Sequence, residues 1–185
     1  AADPTKIGNQ FSITPPVWNK GNTAITFEYN QRGHQRYEIL ELSANTGATR
    51  SVIAEVSPTF IDYSGKKFRK DLEDAGEIIW ASERDGWNHL YLFDAKSGKI
   101  KNQITQGDWV VRGVEYVDEK AREIYFQASG MKKGEDPYLV HYYVIGMNGK
   151  GLRDLTPETA QHPAYFDNSH KLFVDVYSRV DQAPI

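Results

Sequence analysis

A chain of 185 residues with 22 Lys and Arg against 25 Asp and Glu, mixed along its length to a net charge of -3, has no electrostatic footprint for duplex phosphate, so nucleic acid is not an expected partner. Its 11 Tyr, 8 Phe and 4 Trp beside 25% charged residues describe a folded chain rich in half-buried strands, not a disordered one. The lack of cysteine excludes a disulfide framework, a thiolate metal site and a thiol nucleophile, and no apolar run approaches the roughly 18 residues that span a bilayer.

The opening residues Ala1-Ala2-Asp3-Pro4 carry neither a basic nor an apolar leader region, and the absent initiator methionine suggests a cut-out or processed segment, which leaves the compartment unassigned. A first short strand is expected over Val17-Trp18-Asn19-Lys20-Gly21-Asn22. The β-rich run Ala24-Ile25-Thr26-Phe27-Glu28-Tyr29 and the run Arg36-Tyr37-Glu38-Ile39-Leu40-Glu41-Leu42 then read as a hairpin around Gln31-Arg32-Gly33-His34. The turn Asn45-Thr46-Gly47 leads to an outer strand containing Thr49, Val52 and Ile53.

Residues 57–70 depart from this pattern and are expected to hold the first strand of a second unit plus an irregular basic loop. The hairpin returns as Glu77-Ile78-Ile79-Trp80-Ala81-Ser82, Glu83-Arg84-Asp85-Gly86 and His89-Leu90-Tyr91-Leu92-Phe93-Asp94, followed by the turn Lys96-Ser97-Gly98 and a strand over Ile100-Gln103-Ile104. A third unit follows: a strand from Val114 to Glu119, the run Glu123-Ile124-Tyr125-Phe126-Gln127-Ala128, the run Val140-His141-Tyr142-Tyr143-Val144-Ile145 and a short strand from Leu152 to Leu155. A fourth begins with Ala164-Tyr165-Phe166-Asp167-Asn168.

The corresponding residues Ile25, Ile78, Ile124 and Leu172 recur at spacings of about 46 to 53 residues, the period of propeller blades. No window carries apolar residues at i, i+3, i+4 and i+7 with caps, so almost no helix is expected. The predicted fold is all-β: a partial β-propeller of about four blades, each a four-stranded antiparallel sheet, at 14–56, 57–106, 107–156 and an incomplete 157–185. An open set of blades exposes apolar faces and strand edges, so the fragment is expected to self-associate or to be completed by other sequence.

The wording Ser82-Glu83-Arg84-Asp85-Gly86-Trp87-Asn88-His89-Leu90-Tyr91, then Ile104-Thr105-Gln106-Gly107-Asp108-Trp109, Tyr125-Phe126-Gln127-Ala128-Ser129, Leu155-Thr156-Pro157 and Asp175-Val176-Tyr177-Ser178-Arg179, resembles the N-terminal propeller of dipeptidyl peptidase IV-type serine peptidases over roughly residues 57 to 183. The resemblance implies a propeller that gates and positions peptide substrates for an α/β-hydrolase domain in cis. That domain carries a Ser-Asp-His triad and cleaves dipeptides from free N-termini, commonly after proline. No cofactor is implied, and a periplasmic or secreted location would follow if the source is bacterial. By this analogy the chain stops before the hydrolase, and the sequence contains no G-x-S-x-G nucleophile elbow, so no catalytic residue is assigned. The family's paired glutamates that hold a substrate's amino terminus have no counterpart here as a Glu-Glu dipeptide, which places that anchor upstream. The alternative is a stand-alone propeller that presents loops to a protein partner; a propeller glycosidase would need opposed carboxylates.

Three residues are candidate substrate contacts. Phe68 and Arg69 match a Phe-Arg pair that lines the substrate subsite in some relatives, since an aromatic face beside a guanidinium offers apolar contact plus directed donors; a solvated basic loop is the competing reading. Arg84, in the Glu-Arg-Asp-Gly turn, is placed to project into a channel or merely to stabilise the turn. The histidines His34, His89, His141, His162 and His170 lack tight ligand spacing, so no metal site is expected. Trp80 aligns with Phe27 and Phe126 as an inward-facing strand residue.

Overall fold

The structure is a computed structural model and describes residues 4–185. The described residues divide into two compact units, 4–80 with Phe93–Lys101 and Ala81–Leu92 with Asn102–Ile185. After a single turn of helix α1 (Pro4–Ile7), the first sheet contains β1 (Gln10–Ile13), β2 (Val17–Trp18), β3 (Ala24–Gln31), β4 (Arg36–Ser43) and β5 (Thr49–Val56). β3, β4 and β5 lie side by side in chain order, and β1 and β2 both pair with β3. Pro15 and Pro16 separate β1 from β2, because neither can donate to a ladder.

The register Ala24↔Ser43 through Asn30↔Tyr37 sets opposite residues on a common face. One face of the first sheet gathers Phe27, Tyr29 and Leu40, with Ile7 and Leu42 packed against them. The Tyr29 hydroxyl donates to the Gly8 carbonyl at 2.5 Å, so the ring is buried without leaving its polar atom unpaired. The other face carries Thr26, Glu28, Asn30, Tyr37 and Ile39, and it holds the candidate site.

The second sheet runs β6 (Arg69–Leu72), β7 (Glu77–Ser82), β8 (His89–Asp94), β9 (Ile100–Gln103), with a short 3-10 turn Glu73–Ala75 between the first two strands. The third runs β10 (Val110–Asp118), β11 (Glu123–Ser129), β12 (Val140–Gly146), β13 (Arg153–Asp154). A last hairpin pairs β14 (Ala164–Phe166) with β15 (Phe173–Asp175). The antiparallel meander is thus the repeated element, as the periodicity predicts. The structure adds β1, which the sequence pattern did not suggest, and shortens the third outer strand to two residues.

Within the second unit the repeat is reinforced by hydrogen bonds. The Thr105 hydroxyl accepts from the Leu90 amide at 2.9 Å and lies 3.0 Å from His89 Nδ1. In the next repeat the Thr156 hydroxyl accepts from the Tyr142 amide at 2.9 Å, while His141 Nδ1 lies 2.9 Å from the Thr156 carbonyl. All six residues are buried, so each threonine satisfies a strand amide as the chain leaves the outer strand. The core of this unit stacks Trp109 on Phe126 at 6.1 Å, with Tyr143 at 5.8 Å from Phe126.

Candidate functional site

The charged centre of the first unit is Glu28, on β3 between buried Phe27 and Tyr29. Strand alternation places it on the face opposite those two rings, where burial of a carboxylate costs free energy unless donors surround it. They do. The Tyr37 hydroxyl donates to Glu28 Oε2 at 2.5 Å, Lys67 Nζ donates to the same oxygen, and an Arg69 guanidinium nitrogen lies 3.5 Å from Oε1. Lys67 also donates to the Tyr37 oxygen at 2.5 Å and sits 4.9 Å from the centre of that ring.

Arg69 opens β6 and is directed inward. Its guanidinium donates to the Thr26 hydroxyl at 3.0 Å and to both carboxylate oxygens of Asp71, at 3.1 and 2.8 Å. Beside it, Trp80 donates through its indole nitrogen to Glu55 at 3.0 Å, and its ring centre lies 6.0 Å from that of Tyr37.

Burial raises the Glu28 carboxyl, but the hydrogen bonds from Lys67 and Tyr37 and the charges of Lys67 and Arg69 outweigh it, so the group is held below its ordinary value. Burial and the adjacent carboxylate both push the Tyr37 hydroxyl upward, which keeps it a donor. The sign of the acid effect follows. A carboxylate whose folded value lies below its unfolded value of about 4.5 stabilises the fold above that pH, and the contribution disappears as the pH falls through the folded value. Glu28→Gln is therefore expected to be less stable than the parent at neutral pH, with the gap closing toward acid in paired pH-dependent urea titrations; a gap independent of pH would refute the assignment.

Arg69 also lines an open cleft of 810 Å³ in the first unit, with Trp18 at 55% exposure, Thr26, Glu41, Arg50 and Asp71 among its walls. The charges there are largely matched: Arg50 donates to Glu41 at 2.6 Å and to the Lys96 carbonyl at 2.7 Å. Phe68 does not line this cleft and is half-buried.

Arg84 belongs to the second unit. It occupies the exposed β7–β8 turn, donates from Nε to the Ser82 hydroxyl at 2.8 Å, and lays its guanidinium 4.9 Å from the centre of the Tyr91 ring. Asp85 beside it accepts from Gln103 at 2.6 Å and from the Trp87 amide at 3.2 Å. Burial raises the Asp85 carboxyl, and these hydrogen bonds bring it below its ordinary value.

The imidazoles serve local structure. His141 Nε2 lies 2.9 Å from Glu135, and His162 Nδ1 lies 2.8 Å from Asp175. Among the described residues no group of three or more His, Asp and Glu side chains converges as a metal site, and no helix is long and apolar enough to cross a membrane. Glu28, the hub of the cluster, was not singled out from sequence. The signal for it was a lone carboxylate inside the apolar run Ala24-Ile25-Thr26-Phe27-Glu28-Tyr29.

The family model described as the dipeptidyl peptidase IV N-terminal region matches residues 4–184. The chain is similar to dipeptidyl peptidase 4 of Arthroderma otae, with 35% identity over 106 residues covering 57% of this chain and 12% of that protein. It is also similar to dipeptidyl peptidase 4 of Trichophyton equinum, with 26% identity over 134 residues covering 65% of this chain and 16% of that protein. It therefore spans a small part of the length of either relative. In three dimensions it is similar to the crystal structure of Porphyromonas gingivalis dipeptidyl peptidase 4, with a TM-score of 0.68 and 19% identity, covering 88% of this chain and 22% of that one. That likeness, with the repeated antiparallel sheets, shows the fold to be a partial β-propeller.

Proposed function

The chain belongs to the dipeptidyl peptidase IV N-terminal region family, and from that premise we propose that it is a non-catalytic propeller segment gating and positioning peptides for an α/β-hydrolase domain carried in cis. The observation that carries this reading is the family match over residues 4–184, nearly the full length. The sequence supports the non-catalytic part, since it offers no strained elbow to expose a nucleophilic serine. Phe68, on the first unit, and Arg84, on the second, are separate peptide contacts in this reading. Arg69, whose donors are engaged by Thr26, Glu28 and Asp71, acts through the wall of the cleft.

The test is made on the whole protein with dipeptidyl amide substrates carrying proline at the second position. Removing the Phe68 ring or the Arg84 guanidinium is expected to raise KM roughly tenfold, the equivalent of about 1.4 kcal/mol of lost binding, with kcat little changed. Unchanged KM in both variants, or a whole protein without such hydrolysis, would overturn the reading.

The same proposal extends to how the isolated segment behaves. The β14–β15 hairpin leaves Tyr165, Leu172 and Val174 on one face, 64%, 73% and 64% exposed. Contiguous apolar surface of this kind drives association. The 185-residue chain is expected to sediment as reversible oligomers, and a compact monomer that binds no hydrophobic dye would contradict this.

A further inference from the structure

We propose that His141 and His162 form a proton-dependent clasp, which ties the β13–β14 connection to the β11–β12 loop and to β15 and loosens as the pH rises. Both rings are buried, and their centres lie 4.9 Å apart. Each is flanked by a carboxylate at one nitrogen and a backbone carbonyl at the other. His141 Nε2 lies 2.9 Å from Glu135 Oε2, and its Nδ1 lies 2.9 Å from the Thr156 carbonyl. His162 Nδ1 lies 3.0 and 2.8 Å from the two Asp175 oxygens, and its Nε2 lies 2.8 Å from the Glu158 carbonyl.

A carbonyl only accepts, so the nitrogen that faces it carries a hydrogen, and a neutral imidazole then has a lone pair on its other nitrogen. That lone pair would meet an ionised carboxylate, which also only accepts. Each contact therefore closes with one proton more than a neutral ring and an ionised carboxylate hold between them, whether it sits on the ring or on the acid. His89, at the corresponding place in the preceding repeat, needs no such proton. Its Nε2 donates to the Gly107 carbonyl at 2.9 Å, and its Nδ1 lies 3.0 Å from the Thr105 hydroxyl, which is able to donate.

The other groups at the clasp are matched among themselves. Lys132 donates to the same Thr156 carbonyl and pairs with Asp154 at 3.0 Å, Thr159 donates to Glu135 Oε1 at 2.7 Å, and Tyr143 and Tyr177 present their rings to the two imidazoles. Gln161 Oε1 accepts from the Val140 amide at 3.0 Å. These bonds hold the same segments across the neutral range, so they set the base stability and the two protons set its pH dependence. When the segments open, exposed histidines are mostly neutral above about pH 6.5 and exposed carboxylates are ionised, so opening releases both protons. The clasp's contribution is thus present on the acid side and is lost with rising pH, by about tenfold in the opening equilibrium per pH unit for each proton released.

The experiment is hydrogen exchange on the full-length protein from pH 6.5 to 8.5, corrected for the intrinsic pH dependence of exchange and read on peptides spanning 130–141 and 156–178. Protection is expected to fall there by roughly tenfold or more, and to stay constant on the β8 peptide that carries His89. The double variant Glu135→Gln, Asp175→Asn sets an amide opposite each ring, and an amide can donate to a neutral nitrogen. Its segments are expected to remain protected with a flat pH profile. Protection that is flat in the parent, or a pH dependence that persists in the double variant, would overturn the clasp. Should the double variant lose protection at every pH, the single variants are read in the same way: each is expected to halve the logarithmic slope, and a slope equal to the parent's in both would overturn it.

Discussion

Trp80→Ala is expected to destabilise the chain by about 3–5 kcal/mol, a large share of the stability of a domain this size. Trp80 is 1% exposed, and it sits where the β6–β7 ladder meets the charged cluster, paired with Arg69 across the strands. Truncation removes the largest apolar body in that region and opens a cavity beside Tyr37, Arg69 and Glu55. It also removes the indole donor that Glu55 accepts at 3.0 Å. A Trp80→Phe variant separates the two effects. It keeps most of the apolar volume and loses the donor, so a cost of about 1–2 kcal/mol is expected. Urea unfolding of the three proteins measures both steps. A Trp80→Ala midpoint close to the parent's would mean that the ring is not packed as described.

Gly98→Ala is expected to cost more than 2 kcal/mol, although it adds a single methyl group. Gly98 turns β8 into β9 with φ of +68°, and a Cβ there would lie 2.2 Å from the Val52 carbonyl oxygen on β5. That neighbour is backbone, so it cannot rotate aside, and one segment has to move. Gly76 supplies the control. It has a similar φ of +62° with nothing within 4 Å of the missing Cβ, so Gly76→Ala should show only the conformational cost of about 1–2 kcal/mol. The difference between the two variants isolates the close approach of the β8–β9 turn to β5. Equal unfolding midpoints would mean that no such approach exists in solution.

The hairpins were legible because their signals are local. Alternating β-branched and aromatic residues flank Gly33 and Gly86, and the observed register Ala24↔Ser43 to Asn30↔Tyr37 overlaps the two runs read from the sequence and reaches one residue past the end of each. The strand β1 was missed because Gln10-Phe11-Ser12-Ile13 is short, lies beyond the Pro15-Pro16 break and is exposed along its length. The irregular segment 57–70 was read as holding the first strand of the second unit, and β6 begins at Arg69, at its end.

The site was legible only in part, because its geometry depends on pairings distant in sequence. Arg69 stood out as an arginine next to a phenylalanine. Its partners Glu28 and Thr26 lie 41 and 43 positions earlier and are brought to it by the stacking of strands in space. Glu28 and Tyr37 belong to one hairpin, but their contact diagonally across the strands needs the register before it can be seen.

The double proline between β1 and β2 has a consequence for anything that approaches that edge. Thr14 is the last residue before it to bond with β3, exchanging backbone and hydroxyl contacts with Glu28 at 3.0 and 2.8 Å. Past it, two consecutive positions offer no amide, so a visiting extended chain cannot join the sheet there as an added strand. Whatever docks along this border is selected by its side chains, and the border itself is a poor template for fibril growth.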